Sequence, residues 1–393
     1  MFRSLLACIS LTLFTATVFT ASAVFADTPP PAPATASTPI PTAPQVDARA
    51  YILVDYRTDK ILAAKDPVAR MEPASLTKLM TAYIVFQQLA VGKLKLEEQV
   101  NVSEHAWRSE GSRTFIELGK PVSVQDLILG MIVQSGNDAT IALAERIAGT
   151  EETFVQLMNT HAKRLGMAGT HFENSSGLPS PQHYTTARDL SLLANAMIRD
   201  YPQFYKYYSV REFEHNGIKQ QNRNGLLERD PTVDGLKTGH TDSAGFCLVT
   251  SALRDGMRLV SVVLGSTSMK ARENASAALL NYGFTFYDTK LAIKGGTVLA
   301  SSRVWKGERP SVDLGIKDDL YLTVPRGEAD GIKTVADVLP RLIAPITADA
   351  NVGSARVLSG NQTLATVPLR PLQPVAAGGW WRRLIDTIRL WFA

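Results

Sequence analysis

Hydrophobic and polar positions change their period along this chain of 393 residues, and the changes predict its elements. From Ser75 the apolar residues recur at the spacing of one helical face, and further helical patterns follow between residues 123 and 199. Apolar runs bounded by Gly, Asn and Asp predict strands at 50–64 and between 208 and 265. Helices in the middle with strands at both ends predict an α/β (α+β) domain over residues 48–288, built on one antiparallel sheet.

Beyond a long helix predicted at 270–287, the pattern changes and the helical period almost disappears. Short strands alternate with Gly, Pro and Asp turns over residues 289–374, which predicts a small all-β sandwich domain. The segment 375–393 then combines Gly378-Gly379 with a short amphipathic pattern. We expect these glycines and the prolines before them to form a hinge.

The amphipathic segment predicts a terminal helix with two chemically different faces. Its apolar face is formed by six residues: Trp381, Leu384, Ile385, Ile388, Trp391 and Phe392. Its polar face is formed by three arginines and one acid: Arg382, Arg383, Arg389 and Asp386. The helix is too short and too charged to span a bilayer but suits the headgroup boundary, so residues 380–392 are expected to attach the protein to a membrane surface. Docking onto another protein is the alternative.

Residues 1–26 have the pattern of a secretory signal peptide, with Arg3, an almost wholly apolar run and then small residues. We predict cleavage after Ala26, with Ala23 as the alternative. An uncleaved membrane anchor is the competing interpretation, although the apolar run is short for a span. Pro, Ala and Thr dominate residues 27–47, a composition that predicts a flexible spacer.

Composition narrows the function classes further. Cys8 lies in the predicted signal peptide, so Cys247 is the only cysteine of the mature chain and no internal disulfide is possible. The apolar strand around Cys247 favours a buried structural thiol over a catalytic one. A net charge of +4 without a dense Lys/Arg run argues against nucleic acid. The histidines are scattered and include no H-E-x-x-H, so neither a metal nor another cofactor is expected.

Three short motifs carry the candidate chemistry. Ser75-Leu76-Thr77-Lys78 places a hydroxyl and an amine one helical turn apart, and a desolvated lysine can take the proton of a nucleophilic hydroxyl. Taken alone, this motif also fits a serine that caps a helix. A second motif, Ser135-Gly136-Asn137, falls on a loop between two predicted helices, and a third, Lys237-Thr238-Gly239, lies between two predicted hairpins.

Together the three motifs match the S-x-x-K, S-x-N and K-T-G set of penicillin-binding proteins and serine β-lactamases. Over nearly the whole mature chain, the sequence resembles the low-molecular-weight D-alanyl-D-alanine carboxypeptidases of the penicillin-binding protein 5 type. Besides the motifs, the resemblance lies in the aromatic C-terminal helix and in residues 50–56, 222–227, 237–242 and 321–327. It implies a transpeptidase/β-lactamase-like catalytic domain, a β-rich domain and an amphipathic helix on the periplasmic face of the bacterial inner membrane.

The resemblance also implies roles for individual residues. Ser75 would attack the carbonyl between the two terminal D-alanines of a peptidoglycan stem peptide, forming an acyl-enzyme that water hydrolyses. Lys78 is the expected base, although the identity of the base is disputed in this superfamily. The backbone N–H groups of Ser75 and of His240, which follows Gly239, would form the oxyanion hole.

Four further polar residues are expected to assist. Ser135 would relay a proton to the leaving amine, and Asn137 would bind the substrate amide while holding Lys78. The charge of Lys237 would help to keep Lys78 neutral and would attract the terminal carboxylate of the substrate, which Thr238 can hydrogen-bond.

Arg223 and Arg272 are additional candidate carboxylate contacts, with surface salt bridges as the alternative. Glu173 follows the second motif, as does the deacylating glutamate of class A β-lactamases, but its surroundings resemble the carboxypeptidases. We therefore expect Glu173 to be a surface residue and β-lactam turnover to be slow.

The expected function is a periplasmic D-Ala-D-Ala carboxypeptidase that β-lactam antibiotics acylate. The alternatives are a D-Ala endopeptidase, a β-lactamase, or a largely non-catalytic cell-wall scaffold.

Overall fold

The computed structural model describes residues 40–392. The predicted signal peptide and the first part of the predicted spacer lie outside the described residues. The strands are β1 (Ala50–Asp55), β2 (Ile61–Lys65), β3 (Gln99–Asn101), β4 (Pro121–Ser123), β5 (Glu212–His215), β6 (Ile218–Gln221), β7 (Val233–Thr241), β8 (Gly245–Arg254), β9 (Met257–Ser266), β10 (Tyr287–Ile293), β11 (Ala300–Trp305), β12 (Ser311–Gly315), β13 (Leu320–Pro325), β14 (Ile332–Val338), β15 (Leu342–Ile343), β16 (Gly353–Ser359) and β17 (Gln362–Pro371). The helices are α1 (Lys78–Ala90), α2 (Glu104–Trp107), α3 (Val124–Leu129), α4 (Asn137–Ala148), α5 (Glu151–Arg164), α6 (Ala187–Asp200), α7 (Pro202–Tyr205), α8 (Leu226–Arg229), α9 (Met269–Phe286) and α10 (Trp380–Leu390).

The first domain is built on a five-stranded antiparallel sheet in the order β2-β1-β9-β8-β7. Tyr51 of β1 pairs with Val263 of β9, so strands from both ends of the domain meet in one sheet, as predicted. Successive side chains of a strand point to opposite faces. Ile52 and Val54 therefore join a core formed with α1, α4 and α6, whereas Leu53 joins a second core formed with α9. Burial on both faces explains the continuous apolar runs of these strands.

Side chains cap two of the helices predicted between residues 123 and 199. Ser123 Oγ accepts a hydrogen bond from the backbone N–H of Asp126 at 3.1 Å, at the start of α3. Thr186 Oγ1 accepts one from the backbone N–H of Asp189 at 3.0 Å, at the start of α6. In both cases the side chain satisfies an N–H group that the helix itself leaves without an acceptor.

The segments before the first two motifs are less regular than the patterns predict. A helix is expected from Ser75, but Ala74–Thr77 form a 3₁₀ turn and the α-helix begins at Lys78. The helix expected to run to the second motif changes at Gly130–Gln134 into a π-helical turn, which ends directly before Ser135. Such turns are frequent at functional sites because they re-aim the residues that follow.

The second domain begins where α9 ends and is all β, as predicted. It contains a six-stranded sheet in the order β14-β16-β17-β12-β11-β15 and a two-stranded sheet of β10 and β13. Apolar residues from both sheets and the loops between them form its core, including Ile293, Leu314 and Val357. Contacts with the first domain include a hydrogen bond of 2.8 Å from Lys60 Nζ to the carbonyl oxygen of Thr323.

The part of the predicted spacer that is described is packed. Ile40, Ala43 and Val46 lie against the core that includes α9, and the hydroxyl of Tyr282 donates a 3.0 Å hydrogen bond to the carbonyl oxygen of Pro41. The apolar residues at three-residue spacing cover the outer face of this core. The packed first domain therefore begins before the expected boundary at residue 48.

The segment before α10 also differs from the expected hinge. Val375 pairs with Ile346 and Ala377 with Gly307, and the N–H of Gly378 donates to the carbonyl oxygen of Lys306 at 2.8 Å. These bonds hold the segment against the second domain.

Helix α10 is docked by its polar face. Asp386, on the predicted polar face, is 6% exposed, and its Oδ2 accepts a 2.7 Å hydrogen bond from the backbone N–H of Lys306. Between residues 40 and 392, no helix is both long enough and apolar enough to cross a membrane.

Candidate active site

The Lys78 amine is enclosed by three oxygen atoms from three segments. Its Nζ lies 3.1 Å from Ser75 Oγ, 2.7 Å from Asn137 Oδ1 and 2.6 Å from the carbonyl oxygen of Ser176. Asn137 Nδ2 donates to the carbonyl oxygen of Glu110, which fixes the end of the amide that faces the lysine. Carbonyl oxygens can only accept hydrogen bonds. In the neutral amine, Asn137 and Ser176 therefore engage both hydrogens, and the lone pair faces the hydroxyl of Ser75.

The environment of Lys78 favours this neutral form. Burial lowers the pKa of Lys78 from 10.5 to about 7, with a further lowering contribution from the Arg223 guanidinium included in that value. Asp138 and Glu151 act in the opposite direction, because their negative charges raise the pKa of the amine. At neutral pH a large fraction of Lys78 is therefore neutral and can act as a base.

Lys237 is buried close to other cations of the site. Its side chain is 2% exposed on β7, and burial lowers its pKa well below the ordinary value. The positive charges of Lys78, Arg223 and Arg272 lower the pKa of Lys237 further. Arg223 is a cation whose charge lowers the pKa of Lys78, and the charged forms of Lys78 and Lys237 disfavour each other.

The backbone around Ser75 is tightly constrained. Ala74, directly before it, has a φ of +47°, a left-handed conformation that is unfavourable for a residue with a Cβ. Gly177 packs against this turn with a φ of +91°, and a Cβ at that position would lie 1.8 Å from the carbonyl oxygen of Ala74. Only glycine fits there, and this close approach brings the neighbouring Ser176 carbonyl to Lys78.

The second motif turns Ser135 toward the cleft. Ser135 has a φ of +67° and is 2% exposed, and its Oγ has no hydrogen-bond partner within residues 40–392. A Cβ on the following Gly136 would lie 2.0 Å from Thr114 Oγ1. The aspartate that class A β-lactamases carry at this position would therefore not fit without a shift of this loop.

The third motif lies on β7, at the edge of the central sheet. Thr238, Gly239 and His240 line the same cavity as Ser75. The imidazole of His240 stacks on Phe246 with ring centroids 3.9 Å apart, so its ring forms part of the cleft wall. This arrangement is compatible with a role for the His240 backbone amide rather than for its imidazole.

The two candidate arginines have different environments. Arg272 is 3% exposed, and its guanidinium donates to the carbonyl oxygens of Gly239 at 3.2 Å and Arg223 at 3.4 Å. Arg272 therefore connects β7 to the loop that contains Arg223 (the 223 loop) and does not form a surface ion pair. The side chain of Arg223 is exposed, on the open side of the cleft.

The structure brings the predicted site residues together around one cavity of about 360 Å³. Seven of them line it: Ser75, Ser135, Arg223, Thr238, Gly239, His240 and Arg272. The other three, Lys78, Asn137 and Lys237, are buried and do not line the cavity. Ser112, Phe246 and Met269 complete the lining and were not anticipated.

Sequence reasoning also missed Asp138, which follows the second motif. It is 0% exposed, and its carboxylate accepts hydrogen bonds from the backbone N–H groups of Thr114, Phe115 and Ile116 at 2.8 to 3.3 Å. These bonds fix the loop whose Ser112 carbonyl accepts the N–H of Asn137. The sequence shows only that an acid lies beside the motif. It does not show that this acid binds backbone N–H groups more than twenty positions away.

Two expectations about neighbouring residues are confirmed. Glu173 is exposed, and its carboxylate accepts from the backbone N–H of Gln182 at 3.0 Å and from the hydroxyl of Ser180. Cys247 is 0% exposed, and burial raises the pKa of its thiol. In the described part of the chain, no three His, Cys, Asp or Glu side chains are grouped to hold a metal ion.

A serine hydroxyl facing a neutral lysine, at the edge of a five-stranded antiparallel sheet flanked by helices, defines the class of penicillin-recognising serine enzymes. A family model described as D-alanyl-D-alanine carboxypeptidase matches residues 36–268. A second model, described as penicillin-binding protein 5, C-terminal domain, matches residues 287–377. The chain belongs to the D-alanyl-D-alanine carboxypeptidase family of hydrolases.

Individual relatives agree with this assignment. The D-alanyl-D-alanine carboxypeptidase DacA of Escherichia coli strain K12 is 42% identical over 364 residues, which cover 90% of each chain. The crystal structure of penicillin binding protein 5 from Haemophilus influenzae is similar with a TM-score of 0.82 at 40% identity, covering 85% of this chain and 99% of that one. Penicillin binding protein 6B from Escherichia coli gives a TM-score of 0.72 at 36% identity, covering 84% of this chain and 96% of that one.

Proposed function

We propose that this enzyme removes the terminal D-alanine from peptidoglycan stem pentapeptides through an acyl-enzyme on Ser75. The observation that carries the proposal is the position of the Lys78 amine, 3.1 Å from the Ser75 hydroxyl with its hydrogens engaged elsewhere. Lys78 takes the hydroxyl proton as Oγ attacks the carbonyl carbon between the two D-alanines. The backbone N–H groups of Ser75 and His240 stabilise the oxyanion that forms.

Breaking the peptide bond requires a proton for the departing amine. The proton taken by Lys78 returns through Ser135, whose buried hydroxyl lines the cavity. Asn137 holds Lys78 through Oδ1, and the second hydrogen of its Nδ2 can bind the substrate amide. Water then attacks the acyl-enzyme, with Lys78 again taking the proton, and releases the shortened peptide.

The cationic end of the cleft suits the free carboxylate of the substrate. Thr238, Arg223 and Arg272 line this part of the cavity, and Lys237 lies next to Thr238 on β7. A bound carboxylate would also favour the protonated form of Lys237, because an opposite charge raises the pKa of a lysine. The carboxylate therefore acts as a charge partner for these cations.

β-Lactam antibiotics acylate the same serine in this proposal. Their carbonyl occupies the place of the scissile peptide carbonyl, and their carboxylate occupies the cationic end. Glu173 points to Ser180 and Gln182 on the surface and is not available to activate a deacylating water. Slow hydrolysis of the β-lactam acyl-enzyme follows.

The test is release of free D-alanine from a stem pentapeptide by the purified mature protein, beside a Ser75→Ala variant. Release by the wild type and none by the variant supports the proposal. No release by either protein, or equal release by both, rejects it and favours a non-catalytic scaffold. A cross-linked peptide dimer in the same assay tests for endopeptidase activity, and fast turnover of a chromogenic cephalosporin would indicate a β-lactamase.

We further propose that the enzyme is exported by residues 1–26 and works in the periplasm, attached to the outer face of the inner membrane through residues 380–392. The support is the apolar face of α10, where Trp381, Trp391 and Phe392 are 62%, 80% and 87% exposed. Contiguous apolar surface of this kind marks an interaction site. At that position the enzyme would act on newly made cell wall, in peptidoglycan synthesis and the maintenance of cell shape.

The membrane proposal is tested by removing residues 379–393 and fractionating cells. The truncated protein should appear in the soluble periplasmic fraction with unchanged D-alanine release, while the full chain sediments with membranes. Retention of the truncated protein in the membrane fraction would contradict attachment through α10. N-terminal sequencing of the mature protein tests cleavage after Ala26.

A further inference from the structure

A chain of hydrogen bonds leads from the start of α5 to Lys78. Glu151 Oε1 accepts from the backbone N–H of Ser175 at 2.8 Å and from the hydroxyl of Ser175 at 2.5 Å. The carbonyl oxygen of Ser175 accepts from Thr81 Oγ1 at 2.7 Å, and the next carbonyl, that of Ser176, accepts from Lys78 Nζ at 2.6 Å. Two consecutive carbonyls of one loop therefore bind one face of α1, with Glu151 holding the loop from the opposite side.

Other contacts also hold this loop, since Asn174 Oδ1 accepts from the backbone N–H groups of Ser176 at 3.3 Å and Gly177 at 2.6 Å, but it is Glu151 Oε1 that accepts both hydrogens of Ser175. Ser175 is 0% exposed and Ser176 is 2% exposed, so water cannot replace a lost acceptor for the Ser175 N–H and hydroxyl. The side chain of Glu151 is 13% exposed, and its Oε2 lies 3.6 Å from His105 Nε2. Loss of the Glu151 carboxylate would leave two buried donors unpaired and release the carbonyl that orients Lys78.

We propose that Glu151 is a positioning residue for the acylation of Ser75: by fixing the Ser175-Ser176 backbone, it holds the carbonyl that engages one hydrogen of Lys78 and thereby directs the lone pair of the amine at the nucleophile. This inference rests on the proposed function, in which Lys78 is the base. Glu151 does not line the cavity, so its effect on the reaction passes through Lys78 and not through a contact with the substrate.

Glu151 also acts on Lys78 through its charge. The charged groups that act on or lie near Lys78 are Asp138 on α4, Glu151 on α5, Arg223 on the 223 loop and Lys237 on β7. Of the two acids, Glu151 can be neutralised without disturbing the backbone bonds made by Asp138. Its removal lowers the pKa of Lys78, because the carboxylate stabilises the protonated amine.

The decisive variant is Glu151→Ala, because Gln would keep an oxygen that can accept both Ser175 hydrogens, whereas Ala removes that acceptor together with the charge. It is measured for D-alanine release and for acylation by a fluorescent penicillin between pH 5 and 9. We expect kcat and the acylation rate to fall about 10- to 100-fold at the pH optimum, as for a displaced catalytic group, with KM almost unchanged. We also expect the acidic limb of the kcat/KM profile to move to lower pH. A general loss of packing would lower the rate without moving the limb.

Glu145→Ala is the matched control. Glu145 binds the same His105, at 2.9 Å, and the hydroxyl of Ser103, but contacts neither Ser175 nor Ser176. The Glu145 variant should leave the rate of D-alanine release and its pH profile unchanged. Thermal melting of both variants checks that each is folded. If Glu151→Ala does not fold, Ser175→Ala removes only the hydroxyl bond and should lower kcat in the same direction by a smaller factor.

The outcomes separate the two proposals. Wild-type release that Ser75→Ala abolishes supports the proposed function whatever Glu151→Ala does. Given that result, an unchanged kcat in folded Glu151→Ala, a fall in rate without movement of the acidic limb, or an equal effect of Glu145→Ala would each overturn the inference. If wild-type release is absent, the proposed function fails and the inference fails with it.

Discussion

The cleft around Ser75 and the outer face of α10 both reverse the usual distribution of side chains, but in opposite directions. In the cleft, Lys78, Asn137 and Lys237 are at most 4% exposed although they are polar or cationic. On α10, Leu384 is 47% exposed and Trp391 is 80% exposed although both are apolar. Proteins bury polar groups at a high cost unless partners satisfy them, and they rarely leave contiguous apolar surface uncovered.

The unusual burial in the cleft and the unusual exposure on α10 depend on different parts of the structure. The buried polar groups are satisfied by atoms distant in sequence, such as the Ser176 carbonyl, so the cleft depends on the whole first domain. The apolar face of α10 depends on the local pattern of one helix and on the attachment of Asp386. Chemistry at the cleft is therefore sensitive to remote substitutions, whereas attachment should respond mainly to substitutions on α10.

The largest expected effect tests the buried side of this comparison. Lys78→Met fills a similar volume but cannot accept a proton, so acylation by a fluorescent penicillin should slow by about 1,000-fold or more. Removing a buried amine should leave the melting temperature unchanged or raised, because burying its charged form is unfavourable. Acylation within about tenfold of the wild type would show that Lys78 is not the base.

The exposed side of the comparison is tested by polar substitutions on α10. The double variant Leu384→Ser and Ile388→Ser should weaken binding to anionic liposomes by about 100-fold, because each side chain loses roughly 1.4 kcal/mol of apolar burial. The control is Leu253→Ser on β8, where the leucine is 45% exposed but outside the apolar face. Equal weakening by the control, or none by the double variant, would contradict attachment through α10.

The pH dependence of kcat/KM links burial to chemistry. The pKa of Lys78 is lowered to about 7, and the base must be unprotonated, so activity should rise about tenfold per pH unit below 7 and then level off. Arg223→Gln removes a cation that lowers this pKa, so the acidic limb should move to higher pH. A limb that stays in place or moves to lower pH would show that Arg223 does not act on Lys78.

The smallest effect is expected for Glu173, an acid that follows the second motif in the sequence but lies exposed on the surface. Glu173→Gln should change neither acylation nor the release of bound β-lactam by more than about twofold, since surface substitutions have small effects. The measurement is recovery of D-alanine release after penicillin treatment. A marked slowing of recovery would show that Glu173 takes part in deacylation.

Much of the fold could be predicted because its long elements carry strong periodic patterns. The capped helices α3 and α6 and the hairpin of β8 and β9 lie close to their expected positions. The three motifs could be recognised because their residue types are chemically specific. Predicting that they would meet required the family resemblance, since no local pattern shows which segments pack together.

The missed features depend on tertiary contacts of the backbone. The left-handed Ala74 and the Ser176 carbonyl at Lys78 leave no trace in hydrophobic period, because any residue supplies a carbonyl. The same holds for the tail, where Gly378 and glycine-rich composition favoured a hinge. Backbone bonds to Lys306 overrode that local preference, as tertiary structure often does.

The attachment of Asp386 to the Lys306 amide has a thermodynamic consequence. A tethered helix loses rotational freedom when it settles on a surface, and that loss opposes binding. Here α10 loses the freedom on folding, at the moment when Asp386 and the backbone before it bond to the second domain. When the six apolar side chains bind a surface, the second domain is therefore held on that surface in one preferred orientation, without a further loss of freedom between α10 and the domain.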